Sequence, residues 1–187
     1  MANQIKVLFG EIPDNLEDFS LASQISQAEA KKFFIERIRT GRPYKMGIIW
    51  WNLLDGWPQM SDAIVDYYFD RKKAYDYVKR TQAPFAVLAY DTDDGVDIFA
   101  CNDTLEERNG RLEIIDADTE KVLQTVEFKA GINCAEKIAD MKIDKINASM
   151  LIFRWTTDHE EGFGHHLCFA PPISFEWYKS LMEKYGL

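Results

Sequence analysis

Three tryptophans lie within eight residues in the stretch WWNLLDGW, together with an amide and a carboxylate. A folded core needs apolar volume, but it rarely places indole rings beside carboxylates that have no partner. An indole face can instead cover the apolar face of a flat ligand, while Asn52 and Asp55 can hydrogen-bond its hydroxyl groups. The stretch therefore indicates a site for a ligand that is apolar on one face and rich in hydroxyls.

Each of these residues also has a purely structural interpretation. Trp51 ends the apolar run MGIIWW, where we expect its ring to face the site, with core packing as the alternative. Asn52 and Asp55 either bind hydroxyls or form the turn, because both residue types are common in turns. Trp57, next to Pro58, either lines the site or fixes the loop.

The elements that must position this stretch follow from the hydrophobic pattern of residues 1–83. The segment LASQISQAEAKKFFIERIR predicts a helix with Ser20 as its N-cap, because its apolar residues recur at helical spacing. MGIIWW, a short apolar run without alternation, is typical of a strand covered on both faces. RKKAYDYVKR predicts a second helix, with Asp70 as its N-cap. A parallel strand needs neighbours, so we expect this half either to be an incomplete part of something larger or to borrow a partner.

Residues 84–187 follow a different pattern. Seven short segments are rich in β-branched and aromatic residues and are mostly parted by turn sequences: FAVLAYD, GVDIFACND, RLEIIDAD, KVLQTVEFK, AEKIADMKI, SMLIFRWTTD and GFGHHLCFA. They predict an antiparallel β-sandwich of immunoglobulin-like design, followed by a short amphipathic tail, FEWYKSLMEKY. The predicted fold class is thus α+β in two parts, with the boundary after residue 83.

Composition excludes several classes of ligand. The net charge is −9 and no basic stripe is present, so the sequence gives little support for binding nucleic acid or an anionic membrane surface. No apolar stretch approaches the roughly 20 residues of a membrane span. Three widely spaced cysteines and the histidine-containing stretch DHEEGFGHH lack the spacing of a metal site, so we expect neither metal nor cofactor.

A known family shares these motifs. WWNLLDGWP, then SDAIVDYY, then the basic helix RKKAYDYVKR resemble the last barrel strand and helix of glycoside hydrolase family 2, the β-mannosidase-like branch being closest. ASQISQAEAKKFFIERIR is similar to the preceding barrel helix of that branch. The resemblance covers about residues 5–84 in sequence. Beyond residue 85 it is one of architecture, since such enzymes carry an immunoglobulin-like sandwich after the (β/α)₈ barrel.

The resemblance implies a retaining glycosidase that acts on terminal β-linked sugars, with mannosides favoured over galactosides and glucuronides. Such an enzyme needs two carboxylates about 5 to 5.5 Å apart, which in the family lie on earlier barrel strands. We therefore expect this chain to supply sugar-binding residues, with Trp51 as the floor of the −1 subsite, but not the catalytic pair. Glu11, in the predicted loop LFGEIPDN, is the one glutamate near the expected nucleophile position.

The expected partners are a carbohydrate substrate and the remainder of the parent barrel, with homo-oligomerisation possible. One alternative is a non-catalytic carbohydrate-binding module, in which exposed aromatics such as Trp155 or Trp177 would bind the sugar. Another is an interaction domain whose tryptophan-rich stretch packs against another chain. The sequence leaves open the sugar, the linkage and the compartment, for which the bacterial cytoplasm or periplasm is the expectation.

Overall fold

The structure is a computed structural model that describes residues 1–143, 146–168 and 172–187. In these residues the chain is α+β, with four helices and two antiparallel sheets. It divides into two compact units. One unit combines residues 1–35 and 48–79 with the C-terminal helix, and the other combines residues 36–47 with both sheets. None of the helices in the described ranges is long and apolar enough to cross a membrane.

The first helix, α1 (Ala2–Phe9), was not predicted from the sequence. Its buried residues Ile5, Leu8 and Phe9 follow the spacing of one helical face, but eight residues give that pattern too few repeats to stand out. Gly10 ends the helix at φ 82°, a conformation that glycine adopts without the steric penalty of a Cβ.

The predicted long helix is confirmed as α2 (Leu16–Arg39), but it begins four residues before the predicted cap. Asn15 Oδ1 accepts the backbone N–H of Asp18 at 2.9 Å, and the Asp18 carboxylate accepts Asn15 Nδ2 at 2.8 Å. This reciprocal pair caps the helix. The prediction of Ser20 as N-cap is wrong, because its hydroxyl lies inside the helix and accepts from Gln24.

The second predicted helix is confirmed as α3 (Lys73–Thr81). The prediction of Asp70 as its N-cap is wrong, because the helix begins three residues later. Its first turn is held by the Lys72 carbonyl, which accepts the Tyr75 N–H, and by Gln24 Oε1, which accepts the Lys73 N–H. The predicted tail is confirmed as α4 (Phe175–Tyr185), where Ser174 Oγ accepts the Trp177 N–H.

The predicted strand over residues 46–51, whose neighbours we expect outside this chain, is not formed in the described part of the chain. These residues belong to no helix or strand, and the backbone groups of residues 46–50 make no hydrogen bond to another described residue. A β-strand exists only through the ladder that it forms with a neighbour. Nothing in the described ranges supplies that neighbour, so the partial barrel is not formed here.

All seven predicted strands are confirmed, to within three residues at each end of the described segments. They are β1 (Phe85–Asp91), β2 (Gly95–Asn102), β3 (Arg108–Asp116), β4 (Val122–Ala130), β5 (Cys134–Lys142), β6 (Ser149–Thr157) and β7 (Glu161–Cys168). The end of the seventh predicted segment, residues 169 and 170, lies outside the described residues. The sheets have the antiparallel orders β1-β2-β5 and β4-β3-β6-β7.

The core of this sandwich fills with the inward side chains of both sheets. Phe85 stacks on Phe128 at a centroid distance of 6.0 Å and meets Trp155 edge-on at 4.9 Å. Leu112 and Ile114 on β3 are fully buried beside them. Because strands alternate their side chains between two faces, this single apolar layer accounts for the alternating burial along β3.

Candidate functional site

Residues 51–57, named here the Trp-rich turn, follow directly on the unpaired segment 46–50. Backbone hydrogen bonds join this turn to residues 64 and 65. The N–H groups of Ile64 and Val65 donate to the carbonyls of Asn52 and Leu53 at 3.2 and 2.9 Å, and the Asp55 N–H donates to the Val65 carbonyl at 3.1 Å. Backbone hydrogen bonds to a later part of the same loop therefore hold the turn in place.

The two candidate indoles are exposed. The Trp51 side chain is 78% exposed and that of Trp57 is 63% exposed, and neither ring makes a ring contact with a described residue. The Trp51 carbonyl accepts Lys31 Nζ at 2.7 Å, and the peptide bond between Trp51 and Asn52 is cis. The core-packing alternative for Trp51 thus finds no support in the described chain. Trp50, by contrast, is half-buried, with the Lys31 ammonium 5.0 Å from its ring centroid.

The two side-chain groups of Asn52 differ in their hydrogen bonding. Its Nδ2 donates to the Leu54 carbonyl at 3.1 Å, which is a turn-forming contact. Its Oδ1 is buried and accepts no hydrogen bond from a described residue. A buried acceptor without a donor is costly, so it is a natural place for a hydroxyl of a bound molecule to donate.

Asp55 is fully engaged within the chain. Its side chain is buried, Oδ1 accepts from Gln59 Nε2 at 3.1 Å and from the Ser61 hydroxyl, and Oδ2 lies 3.0 Å from Lys72 Nζ. The hydrogen bond from Ser61, with those from Lys72 and Gln59, lowers the pKa of Asp55, against burial, which acts in the opposite direction. The carboxylate is therefore ionised at neutral pH and surrounded by donors.

The donors to Asp55 were not predicted from the sequence. Gln59, Ser61 and Lys72 lie four, six and seventeen residues further along the chain, and Lys72 reaches back only because the loop closes on itself. No pattern of residue spacing in the sequence predicts such a contact. Asp66 does what its type suggests, since its Oδ1 accepts the backbone N–H groups of Tyr68 and Asp70 at 2.8 and 2.9 Å.

Glu11 lies in the loop after α1. It is exposed, and its carboxylate makes no hydrogen bond or ion pair with a described residue. This is the setting of a solvated surface carboxylate. That the chain lacks the catalytic pair stays a prediction.

A groove of about 890 Å³ runs beside Trp50 along α2. Its wall mixes hydroxyl, amide and charged groups with a few apolar side chains. Among the residues that line it are Ser23, Gln27, Lys31, Trp50, Asp62 and Lys72. No group of three or more histidine, cysteine, aspartate or glutamate side chains in the described ranges could hold a metal ion.

Comparisons with known proteins find that this chain is similar to parts of longer enzymes. No family model matches the chain. A β-mannosidase B from Thermothelomyces thermophilus is 40% identical over 80 residues, which are 40% of this chain and 9% of that protein. The solved β-D-mannosidase of Dictyoglomus thermophilum superposes with a TM-score of 0.80 and 25% identity, over 93% of this chain and 22% of its own.

A second solved structure, the exo-chitosanase of Amycolatopsis orientalis, has a TM-score of 0.67 and 20% identity over 88% of this chain and 21% of its own. At that identity the likeness shows the fold alone. This chain spans 22% or less of the length of each of these three relatives.

The alternative of a carbohydrate-binding module is not favoured. Trp155, one of the aromatics that it requires on the surface, is 6% exposed and packs in the sandwich core. The likenesses instead confirm the resemblance found in the sequence: this chain resembles the C-terminal part of a glycoside hydrolase family 2 enzyme of the β-mannosidase-like branch.

Proposed function

We propose that this chain is the C-terminal part of a retaining glycoside hydrolase whose substrates are terminal β-linked sugars, with β-mannosides as the preferred class. The observation that carries the proposal is the exposed indole of Trp51 beside the unsatisfied Oδ1 of Asn52. An apolar platform next to a hydrogen-bond acceptor suits a pyranose ring. The names of the two mannosidase relatives support the choice of sugar.

The finer fold belongs to the same proposal. Residues 46–51 would be a barrel strand whose neighbours come from the remainder of the enzyme, with α2 and α3 as the helices on either side of it in sequence. Two features support this assignment: the apolar composition of the segment and the unpaired backbone of residues 46–50. Paired into a parallel sheet, Trp51 would stand at the carboxyl end of the strand, where barrel enzymes bind their substrates.

Within this site the side chains have distinct tasks. Trp51 forms the floor under the sugar, Trp57 forms a wall, and Asn52 Oδ1 accepts a sugar hydroxyl. Asp55 belongs to the same site through the turn that it holds. The reaction itself needs an acid/base carboxylate and a nucleophilic carboxylate about 5 to 5.5 Å apart, and both would come from outside this chain. The nucleophile would form a covalent glycosyl-enzyme, which water then hydrolyses with retention of the anomeric configuration.

The test compares the complete product of the gene with this 187-residue chain on 4-nitrophenyl β-mannoside, β-galactoside and β-glucuronide. We expect the complete product to hydrolyse the mannoside fastest and to release the β-anomer first, as followed by proton NMR. We expect this chain alone to match its heat-denatured control. Robust turnover by the chain alone would overturn the assignment of the catalytic pair, and no turnover by the complete product would overturn the enzyme class.

A further inference from the structure

Asp55 and Lys72 form an ion pair at the centre of the loop that carries the Trp-rich turn. The Asp55 side chain has no exposed area, and that of Lys72 is 17% exposed. Lys72 Nζ also approaches the Ser61 carbonyl at 3.3 Å, and the Lys72 N–H donates to the Ile64 carbonyl at 2.9 Å. One lysine therefore contacts three separate points of the same loop.

The carboxylate of Asp55 has little capacity left for a ligand. Three side-chain donors occupy its two oxygens, and a buried carboxylate that loses a charged partner is strongly disfavoured. For Asp55 to bind a sugar hydroxyl directly, it would have to give up one of these donors inside the protein. The neighbouring Asn52 Oδ1, in contrast, has no donor among the described residues.

The hydrogen-bonded network around Asp55 lies only a few residues along the backbone from Trp51 and Asn52. Asp55 lies three residues after Asn52, and both are fixed by backbone hydrogen bonds to residues 64 and 65. Ser61 Oγ donates to Asp55 and also accepts the Ala63 N–H at 3.0 Å. The Ser61 hydroxyl therefore links the side-chain hydrogen bonds of Asp55 to the backbone of the loop. A shift of Asp55 must therefore move the turn that presents Trp51 and Asn52.

We propose that Asp55 and Lys72 are positioning residues for the sugar site: their buried ion pair fixes the backbone of residues 52–65 and so sets the place of the Asn52 amide and the Trp51 indole. This inference rests on the proposed function for its substrate, a β-mannoside. It assigns to Lys72 a role that the sequence did not show, and it gives Asp55 an indirect role in binding.

The experiment uses the complete gene product with the substitutions Asp55→Asn, Lys72→Met, Lys72→Arg and the double change D55N/K72M. Lys73→Met and Asp70→Asn serve as matched controls, because they make the same charge changes at side chains that have no hydrogen bond or ion pair with described residues. We measure kcat and KM on 4-nitrophenyl β-mannoside. Misplacement of a site by an ångström can lower the rate about 100-fold.

We expect Asp55→Asn and Lys72→Met each to lower kcat/KM about 100-fold. The double change should lower kcat/KM no further than either single change, because both substitutions break the same ion pair. Lys72→Arg keeps the charge and should recover most of the activity. The two control variants should remain within about twofold of the unchanged protein. A strong effect of Asp55→Asn with no effect of Lys72→Met would overturn the proposal, since it would mark Asp55 as a direct ligand.

A second measurement works even if the enzyme proves inactive or the strongest variants fold poorly. The five tryptophans of this chain are labelled as 5-fluorotryptophan, and Trp51→Phe assigns the fluorine resonance of Trp51. We expect Ser61→Ala and Lys72→Met to move that resonance, and Lys72→Arg and Lys73→Met to leave it close to its place. An unmoved Trp51 resonance would overturn the positioning role, whereas absent turnover by the complete product would overturn only the proposed function.

Discussion

At the scale of single residues, the carboxylate of Asp55 makes the stability of its unit depend on pH. Its pKa is lowered in the folded chain, so it contributes stability above its unfolded value of about 3.9 and loses that contribution as the pH falls through the folded value. Asp55→Asn removes the charge at every pH. We therefore expect the melting temperature of the variant to lie below that of the unchanged chain near neutral pH, with the gap closing at acid pH.

The check is a series of thermal melts followed by circular dichroism from about pH 7 down to about pH 2. Asp70→Asn is the control, because Asp70 is exposed and its carboxylate has no partner among the described residues. A gap between Asp55→Asn and the unchanged chain that stays constant over this range would contradict the ionised, donor-bound state of Asp55.

Thiol reactivity gives a second prediction at this scale. Burial raises the pKa of Cys101 to about 12, and Cys168 is fully buried, while Cys134 is partly exposed with its pKa also raised, again first by burial. The thiolate is the reactive form. We expect iodoacetamide at about pH 8 to label Cys134 slowly in the native chain, and Cys101 and Cys168 only after unfolding. Peptide mass spectrometry reads the sites, and native labelling of Cys101 would contradict the packing of β2.

Features of the candidate site that depend only on side-chain type could be predicted from the sequence. The sequence WWNLLDGW shows that indoles and the amide of Asn52 lie close together in the chain, although it does not show that the indoles are exposed. The partners of Asp55 were not, because Lys72 reaches it through a loop closure that no local pattern encodes. The hydrogen bonding of Asn52, with Nδ2 bonded in the turn and Oδ1 buried without a donor among the described residues, likewise depends on the three-dimensional path of the loop.

At the scale of elements, the cap of α2 is the sharpest correction and can be tested. Asn15 Oδ1 satisfies a backbone N–H that would otherwise lack a partner at the start of the helix. We expect Asn15→Ala to lower the free energy of unfolding by about 1 kcal/mol. Ser20→Ala, at the position that the sequence favoured, should change it by less than about 0.5 kcal/mol. Urea titrations measure both, and equal effects would contradict the cap.

The accuracy of prediction differed between the elements for physical reasons. The seven strands of the sandwich pair with one another within residues 85–168, so their alternation and turn residues were enough to identify them. Residues 46–51 have the composition of a strand, but a ladder needs a second strand that the described chain does not provide. The strand assignment of this segment therefore stays a prediction, because it depends on neighbours outside the described chain.

At the scale of the whole molecule, the exposed apolar side chains concentrate on and around the Trp-rich turn. Ile49 is 100% exposed, Trp51 78%, Met60 68% and Phe69 75%. A soluble protein rarely exposes such a surface without a partner. If the chain is the C-terminal part of a glycosidase, the remainder of the enzyme would cover part of this surface and the sugar another part.

This surface leads to a prediction about the isolated chain. Ile49→Asp removes no buried contact, so we expect an unchanged melting temperature but weaker binding of the dye ANS and less self-association in sedimentation velocity. Ile98→Asp, a fully buried position in the sandwich, is the contrasting variant and should unfold the chain. Destabilisation by Ile49→Asp would contradict the full exposure of the Ile49 side chain.

The most direct test of the proposed sugar site is the effect of Trp51→Ala on kcat/KM of the complete gene product for 4-nitrophenyl β-mannoside. Tyr44→Ala, which removes a 94% exposed aromatic outside the Trp-rich turn, is the control. We predict a loss of at least about 30-fold for Trp51→Ala, equivalent to about 2 kcal/mol, with the melting temperature unchanged and Tyr44→Ala near normal. Undiminished hydrolysis by the Trp51→Ala protein would contradict the assignment of this turn to the sugar site.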